Sequence, residues 1–395
     1  MAVYLDHAAT TPMLPAAITA YTEAMTLVGN PASIHSQGQN AKRMLEEARE
    51  QVAASVGSDP IEVVFTGGGT EAVNLAIKGF FWARGGRRRI LAPGGEHHAT
   101  LDTIEWLVQH DGAIVEWLPL DDLGRVDLAA LERSIASDPE SVALVTLLQA
   151  NNEVGTLQPT LRVAALAAAH SIPVHVDAIS AYGHVPIDFR AVSAAGVSAI
   201  SISAHKIGGP VGIGALVLSR SATVVPLIHG GGQQRQVRSG TQDVAAAISF
   251  AVAASVAIEG LESEGPRIAA LRDRLVDGVL AAVPDAVLNG DPDASGRLPG
   301  NAHFTFPGCE GDSLLFLLDA AGVSVSTGSA CQAGIPEPSH VLRAMGRSET
   351  DARGALRMTL GRTSTEQDVD ALLAALPAAY AQASRAGFAD RVPGR

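Results

Sequence analysis

Between residues 61 and 219, seven short apolar runs alternate with stretches of helical period, and that alternation limits the fold more than any other feature of the chain. The runs are 61–66, 89–92, 113–118, 142–148, 174–177, 197–203 and 214–219. Segments 70–82, 98–109, 128–135 and 161–169 carry the helical spacing between them. Strands joined through helices pair in parallel, because a crossover of that length returns the chain to the same edge. Runs apolar on both faces need cover on both sides. The pattern therefore predicts an α/β fold, with a mainly parallel seven-stranded sheet covered by helices. In such sheets ligands sit outside the carboxyl ends of the strands.

The flanks read differently. Residues 1–15 form an arm with a polar middle, stopped by Pro12. Gly29-Asn30-Pro31-Ala32-Ser33 is a loop, because Asn-Pro disfavours helix. From Gln39, residues Ala41, Met44, Leu45, Ala48, Val52 and Val56 recur at helical spacing. Beyond residue 240 two long helices, 243–260 and 266–282, precede a strand-and-helix region with strands at 302–306 and 355–360. This divides the chain into a large domain, 14–258, and a smaller α+β domain formed by 1–13 with 259–395. A net charge of −13 argues against nucleic acid as a direct partner. The N-terminus lacks the basic and apolar regions of a signal peptide, and no apolar run reaches membrane-helix length, so no membrane partner is expected. With Cys309 and Cys331 as the two cysteines, a disulfide framework and a cysteine metal site are both excluded, which suits a reducing, cytoplasmic setting.

The polar motifs fall just after the apolar runs. Lys206 follows 197–203 in Ser203-Ala204-His205-Lys206-Ile207-Gly208-Gly209. Desolvation there lowers an amine's pKa and suits it to Schiff-base chemistry, although a lysine at a strand end is more often a solvated charge. Thr66-Gly67-Gly68-Gly69-Thr70-Glu71 joins a strand to a helix and suits one phosphate, or else a tight turn with a threonine cap. Glu96-His97-His98 offers a ring for stacking or proton transfer, or a helix cap; the adjacent histidines point apart and no further ligand completes a metal site. Asn151-Asn152-Glu153 can hold a carboxylate or a phenolic oxygen, or make an Asx turn. Asp177 ends 174–177 and wants a cation, for which a protonated pyridine nitrogen would serve. An Asp and a Lys at strand ends, below a phosphate loop, suit pyridoxal 5'-phosphate. Cys309 reads as a small buried hydrophobe. Cys331 lies in Thr327-Gly328-Ser329-Ala330-Cys331-Gln332-Ala333-Gly334, a loop of small residues expected to be mobile over about 325–337.

Taken in order, these motifs resemble the cysteine desulfurases of the NifS/IscS type, within the aminotransferase class V family of pyridoxal-phosphate enzymes of fold type I. The resemblance runs from Tyr4-Leu5-Asp6-His7-Ala8-Ala9-Thr10-Thr11-Pro12 through His229-Gly230-Gly231-Gly232 and Arg238-Ser239-Gly240-Thr241 to Leu356-Arg357. It implies that Lys206 carries the cofactor, that Asp177 pairs with the ring nitrogen, and that His97 stacks on the ring and assists proton transfer. It implies Gly69, Thr70, Ser203 and His205 around the phosphate, with Thr241 reaching it from the other subunit of a homodimer. Asn152 would sit near the ring's O3′ and the substrate carboxylate, Arg357 would clamp that carboxylate, and Asn30 would join the substrate contacts. Cys331 would take sulfur from L-cysteine as a persulfide, releasing L-alanine. The sulfur would pass to an acceptor protein, an iron–sulfur scaffold or a tRNA-thiolation protein. The segment up to Pro338 resembles the subgroup with an extended catalytic loop. Ser180 departs from the family, which usually has glutamine at the third position after the Asp. Selenocysteine lyase, another class V enzyme, or a non-catalytic assembly protein are the alternatives.

Overall fold

The computed structural model describes residues 2–328 and 337–389. Its strands are β1 (Val3–Tyr4), β2 (Val63–Thr66), β3 (Arg89–Pro93), β4 (Ile114–Leu118), β5 (Val142–Leu148), β6 (Val174–Asp177), β7 (Val197–Ser203), β8 (Gly214–Leu218), β9 (Val287–Asn289), β10 (Asn301–Thr305), β11 (Val323–Ser324) and β12 (Ala355–Thr359). Seven of them form one sheet in the order β2-β8-β7-β6-β5-β3-β4. Only β8 runs antiparallel to its neighbours; the other pairings are parallel. Every residue of β5, β6 and β8 is buried, as a sheet covered on both faces requires. The helix Gly69–Ala83 covers one face, through Val73, Ile77 and Phe80 against Ile90, Leu144 and Leu216. Helices Ser36–Ser55 and Val244–Glu259 cover the other, where Leu45, Val52 and Phe250 meet Phe65, Val145 and Ile200.

A second core lies apart. The antiparallel strands β9, β10 and β12 carry Phe304 and Leu356 into it, and helices Leu261–Ala282, Gly311–Ala320 and Glu366–Ala389 close it with Leu275, Leu314 and Leu372. The N-terminus belongs here too, because β1 pairs with β11 and Leu5 is fully buried in this core. The arm then crosses back to the large sheet, where Thr11 N–H donates to the His205 carbonyl at 3.0 Å and Leu14 N–H to Gly208 at 2.8 Å.

Several local expectations need correction. The run 61–66 starts as a 3-10 turn, Pro60–Glu62, because Asp59 and Glu62 form a reciprocal capping box around a proline at its first position. The helix expected from Gln39 begins at Ser36, where His35 accepts from Gly38 N–H. The helix expected from residue 266 begins at Leu261 and holds Pro266 inside it. Helices Pro15–Ala24 and Phe189–Ala194 were not expected at all. Among the described residues no single helix is long and apolar enough to cross a membrane.

Candidate active site

Parallel pairing of β5, β6 and β7 puts their carboxyl ends on one side of the sheet. A cavity of about 400 Å³ opens there. It collects Asp177 from the end of β6, Ser203 from the end of β7, and His205 and Lys206 from the 3-10 turn Ala204–Lys206 that follows. Gly69 and Thr70 enter from the start of the helix Gly69–Ala83, His97 from the loop after β3, Asn152 from the loop after β5, Ser180 from the loop after β6, and Arg357 from β12.

The Gly69 loop fits closely under this cavity. A side chain on Gly214 would lie 2.6 Å from the Ile202 carbonyl oxygen and 2.8 Å from Gly68 C, so bare backbone is required there, and one on Gly69 would lie 2.3 Å from Ile179 Cδ1, which would have to move. Gly68 holds φ 143° as it feeds the helix N-terminus. Glu71 anchors the loop from outside, accepting from Gly67 N–H at 2.7 Å and from Arg238 Nε at 2.9 Å. Ser203 Oγ is buried with no partner among the described residues. A helix N-terminus with an idle hydroxyl beside it is a seat for an anion.

Asp177 is buried, and its Oδ1 accepts from Ile179 N–H at 3.0 Å. Burial pushes its carboxyl up to about 6, against the pull of that N–H and of Lys206. Lys206 donates to the Ala8 carbonyl and, at 3.0 Å, to Ala9. Burial, then the Arg357 charge, pull its amine down to about 8, with Asp6 and Asp177 working against them. Lys206 is half-buried, and burial lowers its amine in the direction expected from sequence.

His97 makes the helix cap, one of its expected readings. It caps the helix His98–Asp111, with Nδ1 accepting from Ala99 N–H at 3.0 Å, and its ring still faces the cavity. Burial and the Lys206 charge hold its pKa at about 4, so it is neutral at pH 7. With Nδ1 used as acceptor, the proton sits on Nε2. Asn151 makes the Asx turn, accepting from Glu153 and Val154 N–H at 2.8 and 3.0 Å. Asn152 differs: its carbonyl accepts from Arg357 Nη1 at 2.8 Å, and its Oδ1 is buried without a partner. Arg357 also donates to Asp6 Oδ1 at 2.9 Å, and its Nε stays unpaired.

Two expected residues do not line this cavity within one chain. Thr241 is exposed on the surface, and Asn30 is exposed in its own turn, accepting from Ala32 N–H at 2.9 Å. Cys331 lies outside the described residues; Ser326 and Gly328, which precede its segment, line the cavity. Sequence reasoning missed the Ala8 and Ala9 carbonyls, the Asp6 partner of Arg357, and a support around Glu153, which is buried and accepts from Ser339 Oγ at 2.5 Å. It also missed the role of Glu96, whose Oε1 accepts from Leu148 N–H at 3.0 Å and ties the His97 loop to the end of β5. The composition of the motifs signals none of these contacts.

Residues 3–372 match the family model described as aminotransferase class-V. A relative from Mycobacterium tuberculosis called an IscS-like cysteine desulfurase is 54% identical over 390 residues, covering 98% of each chain. One from Methanosarcina thermophila, called cysteine desulfurase IscS, is 40% identical and covers 95% of this chain and 91% of its own. Among solved structures, one titled NifS-like protein superposes with a TM-score of 0.87 at 33% identity, covering 97% of this chain and all of the other.

Proposed function

Because the chain belongs to the aminotransferase class V family, we propose that it is a cysteine desulfurase, converting L-cysteine to L-alanine with transfer of sulfur to Cys331. The observation that carries this reading is the cavity in which the desolvated Lys206 amine, the buried Asp177 carboxyl and Arg357 face the start of the cysteine-bearing segment. The residues present suit pyridoxal 5'-phosphate. Gly69, Thr70, the idle hydroxyl of Ser203 and His205 suit its phosphate, and Asp177 suits its ring nitrogen, because a buried carboxyl at about 6 ionises readily beside a cation. When bound, this cofactor supplies an electron sink for the charge left at the substrate Cα.

Lys206 would hold the cofactor and would move the proton at the substrate Cα; a pKa near 8 leaves a usable share of free amine at neutral pH. The Ala8 and Ala9 carbonyls fix where that amine rests. Arg357 would take the substrate carboxylate, with Asn152 lining the same cavity. His97 would stack on the cofactor ring and can donate through Nε2–H; taking up a proton would cost it the Ala99 cap. The Cys331 thiolate attacks the substrate Sγ, and the Cβ–Sγ bond breaks. Its electron pair stays with Cβ, which takes a proton and becomes the methyl group of alanine, and a persulfide remains on Cys331. The sulfur then goes to an acceptor protein, such as an iron–sulfur scaffold or a tRNA-thiolation protein.

The same reading makes the protein a homodimer, with Thr241 serving the partner's cavity; its exposure away from this one supports it. It keeps the division into 14–258 and 1–13 with 259–395, which the two separate cores support. A reactive thiolate calls for a reducing compartment, hence the cytoplasm.

The test is release of sulfide and alanine from L-cysteine with a reductant. Equal yields from the wild type, and no turnover from a Cys331→Ala variant that keeps cofactor absorbance, are expected. Equal activity of the two proteins would reject Cys331 as nucleophile and favour a lyase.

A further inference from the structure

One short stretch of the N-terminal arm reaches both cations of the cavity. Asp6 meets Arg357, and the Ala8 and Ala9 carbonyls meet Lys206. Backbone contacts fix the arm against β12 on its way there. The Leu5 carbonyl accepts from Thr359 N–H at 2.7 Å, and His7 N–H donates to the Thr359 carbonyl at 3.3 Å. Ala8 N–H donates to Thr359 Oγ1 at 2.8 Å. The turn is closed by Ala9 N–H, which donates to the Asp6 carbonyl at 3.0 Å. Thr359 and Arg357 stand two residues apart on one strand, so their side chains leave β12 on the same face. The path of the backbone thus places Asp6 beside Arg357.

The Arg357 side chain is 6% exposed and that of Asp6 20%. Nη2 donates to Asp6 Oδ1 at 2.9 Å, and Nη1 donates to the Asn152 carbonyl at 2.8 Å. Each of these nitrogens carries two N–H groups, so one remains on each. A carboxylate is taken by two such parallel N–H groups, and the geometry of the pair decides how well. The plane of the guanidinium is set by its two protein acceptors, one at each Nη. Without Asp6 the group would be tied at one nitrogen and could turn about that contact. It would also lose the counter-charge that a buried cation needs.

We propose that Asp6 is a positioning residue, which holds the Arg357 guanidinium in the orientation that takes the carboxylate of an amino-acid substrate. This inference rests on the reading of Arg357 as the carboxylate clamp.

Two small amines separate orientation of the clamp from general damage to the arm. L-Alanine and cysteamine both offer a primary amine to the bound cofactor, and only L-alanine offers a carboxylate. Each is titrated into the cofactor-loaded enzyme and followed by the cofactor's visible absorbance. Asp6→Ala should weaken L-alanine about tenfold, as loss of one charge-assisted contact to the clamp implies, and cysteamine by no more than about twofold. Asp6→Glu keeps the charge but displaces the carboxylate. It should weaken L-alanine about threefold or more, again sparing cysteamine, and it carries the test if Asp6→Ala does not fold. Equal weakening of both ligands overturns the proposal, and so does L-alanine binding that is unchanged or tighter. Arg357→Gln tests the underlying reading separately. If it does not single out L-alanine, Arg357 is not the clamp; if it does while the Asp6 variants do not, the role of Asp6 alone is rejected.

Discussion

Two polar layers cross the large sheet two residues apart, the inner on β5, β6 and β7 and the outer on β6 and β7, and they are built in opposite ways. In the inner layer His175 bridges Thr146 Oγ1 and Ser201 Oγ at 2.9 and 2.8 Å. All three side chains are fully buried, and burial holds His175 at about 3, a neutral ring with one donor and one acceptor for two hydroxyls. Two residues further along β6 and β7 stand Asp177 and Ser203. The serine hydroxyl has no partner, and burial raises the Asp carboxyl. Satisfied polar groups in a core specify a scaffold, whereas unsatisfied ones beside a cavity mark where a ligand completes the structure. The sheet therefore changes from scaffold to site within one step along its strands.

Substitutions at the two layers should separate accordingly. The largest effect belongs to the outer layer. Lys206→Ala should lower turnover on the order of 10⁴-fold, and Asp177→Asn on the order of a hundredfold or more, with circular dichroism unchanged. The inner layer should do the reverse. His175→Ala leaves two buried hydroxyls and a void, and should cost about 2–4 kcal/mol in urea unfolding while turnover per folded molecule is kept. If His175→Ala abolished turnover at full stability, the division into scaffold and site would fail.

Acid–base behaviour sharpens the contrast further. In cofactor-free protein the folded pKa of Asp177, about 6, lies above the ordinary value of 3.8. The stability contributed by its neutral form is fully present below that ordinary value and is lost as pH rises through about 6. Asp177→Asn cannot ionise, so the variant should gain on the wild type across this window. Loading the cofactor places a cation beside the carboxylate and should erase that gain. Thermal unfolding of both proteins across pH, with and without cofactor, reads both signs.

What could be read from sequence follows the same line between local and distant causes. The strands of the large sheet are continuous apolar runs, and their bounds shift by no more than two residues between expectation and structure. Asp177 and Ser203 were legible because each ends such a run, and Lys206 and Gly69 because each lies three residues beyond one. Helix Pro15–Ala24 escaped because its weakly patterned alanines and threonines give little periodicity. The pairing of β1 with β11 and the Arg357–Asp6 contact escaped for a different reason, since they join residues more than 300 positions apart that no local pattern connects. The Ala8 and Ala9 carbonyls that hold Lys206 are backbone atoms, and residue type says nothing about them.

Ser180 is the finest test of the outer layer. It lines the cavity beside Asn152 and Lys206, where the family usually carries a glutamine that donates to the cofactor's ring oxygen. A serine hydroxyl is shorter than a glutamine amide, so its hold on that oxygen is expected to be weaker or bridged by a water. A direct donor to an oxygen anion favours the charged form more than a bridging water does, and a difference of 1.36 kcal/mol is one pKa unit. Ser180→Gln should therefore move the midpoint of the cofactor's visible absorbance titration by about one unit or less, with cofactor content unchanged. An unmoved midpoint would mean that a neighbouring donor already serves that oxygen. Asn152, whose Oδ1 lacks a partner and whose amide lies in the same cavity, is then the residue to change next.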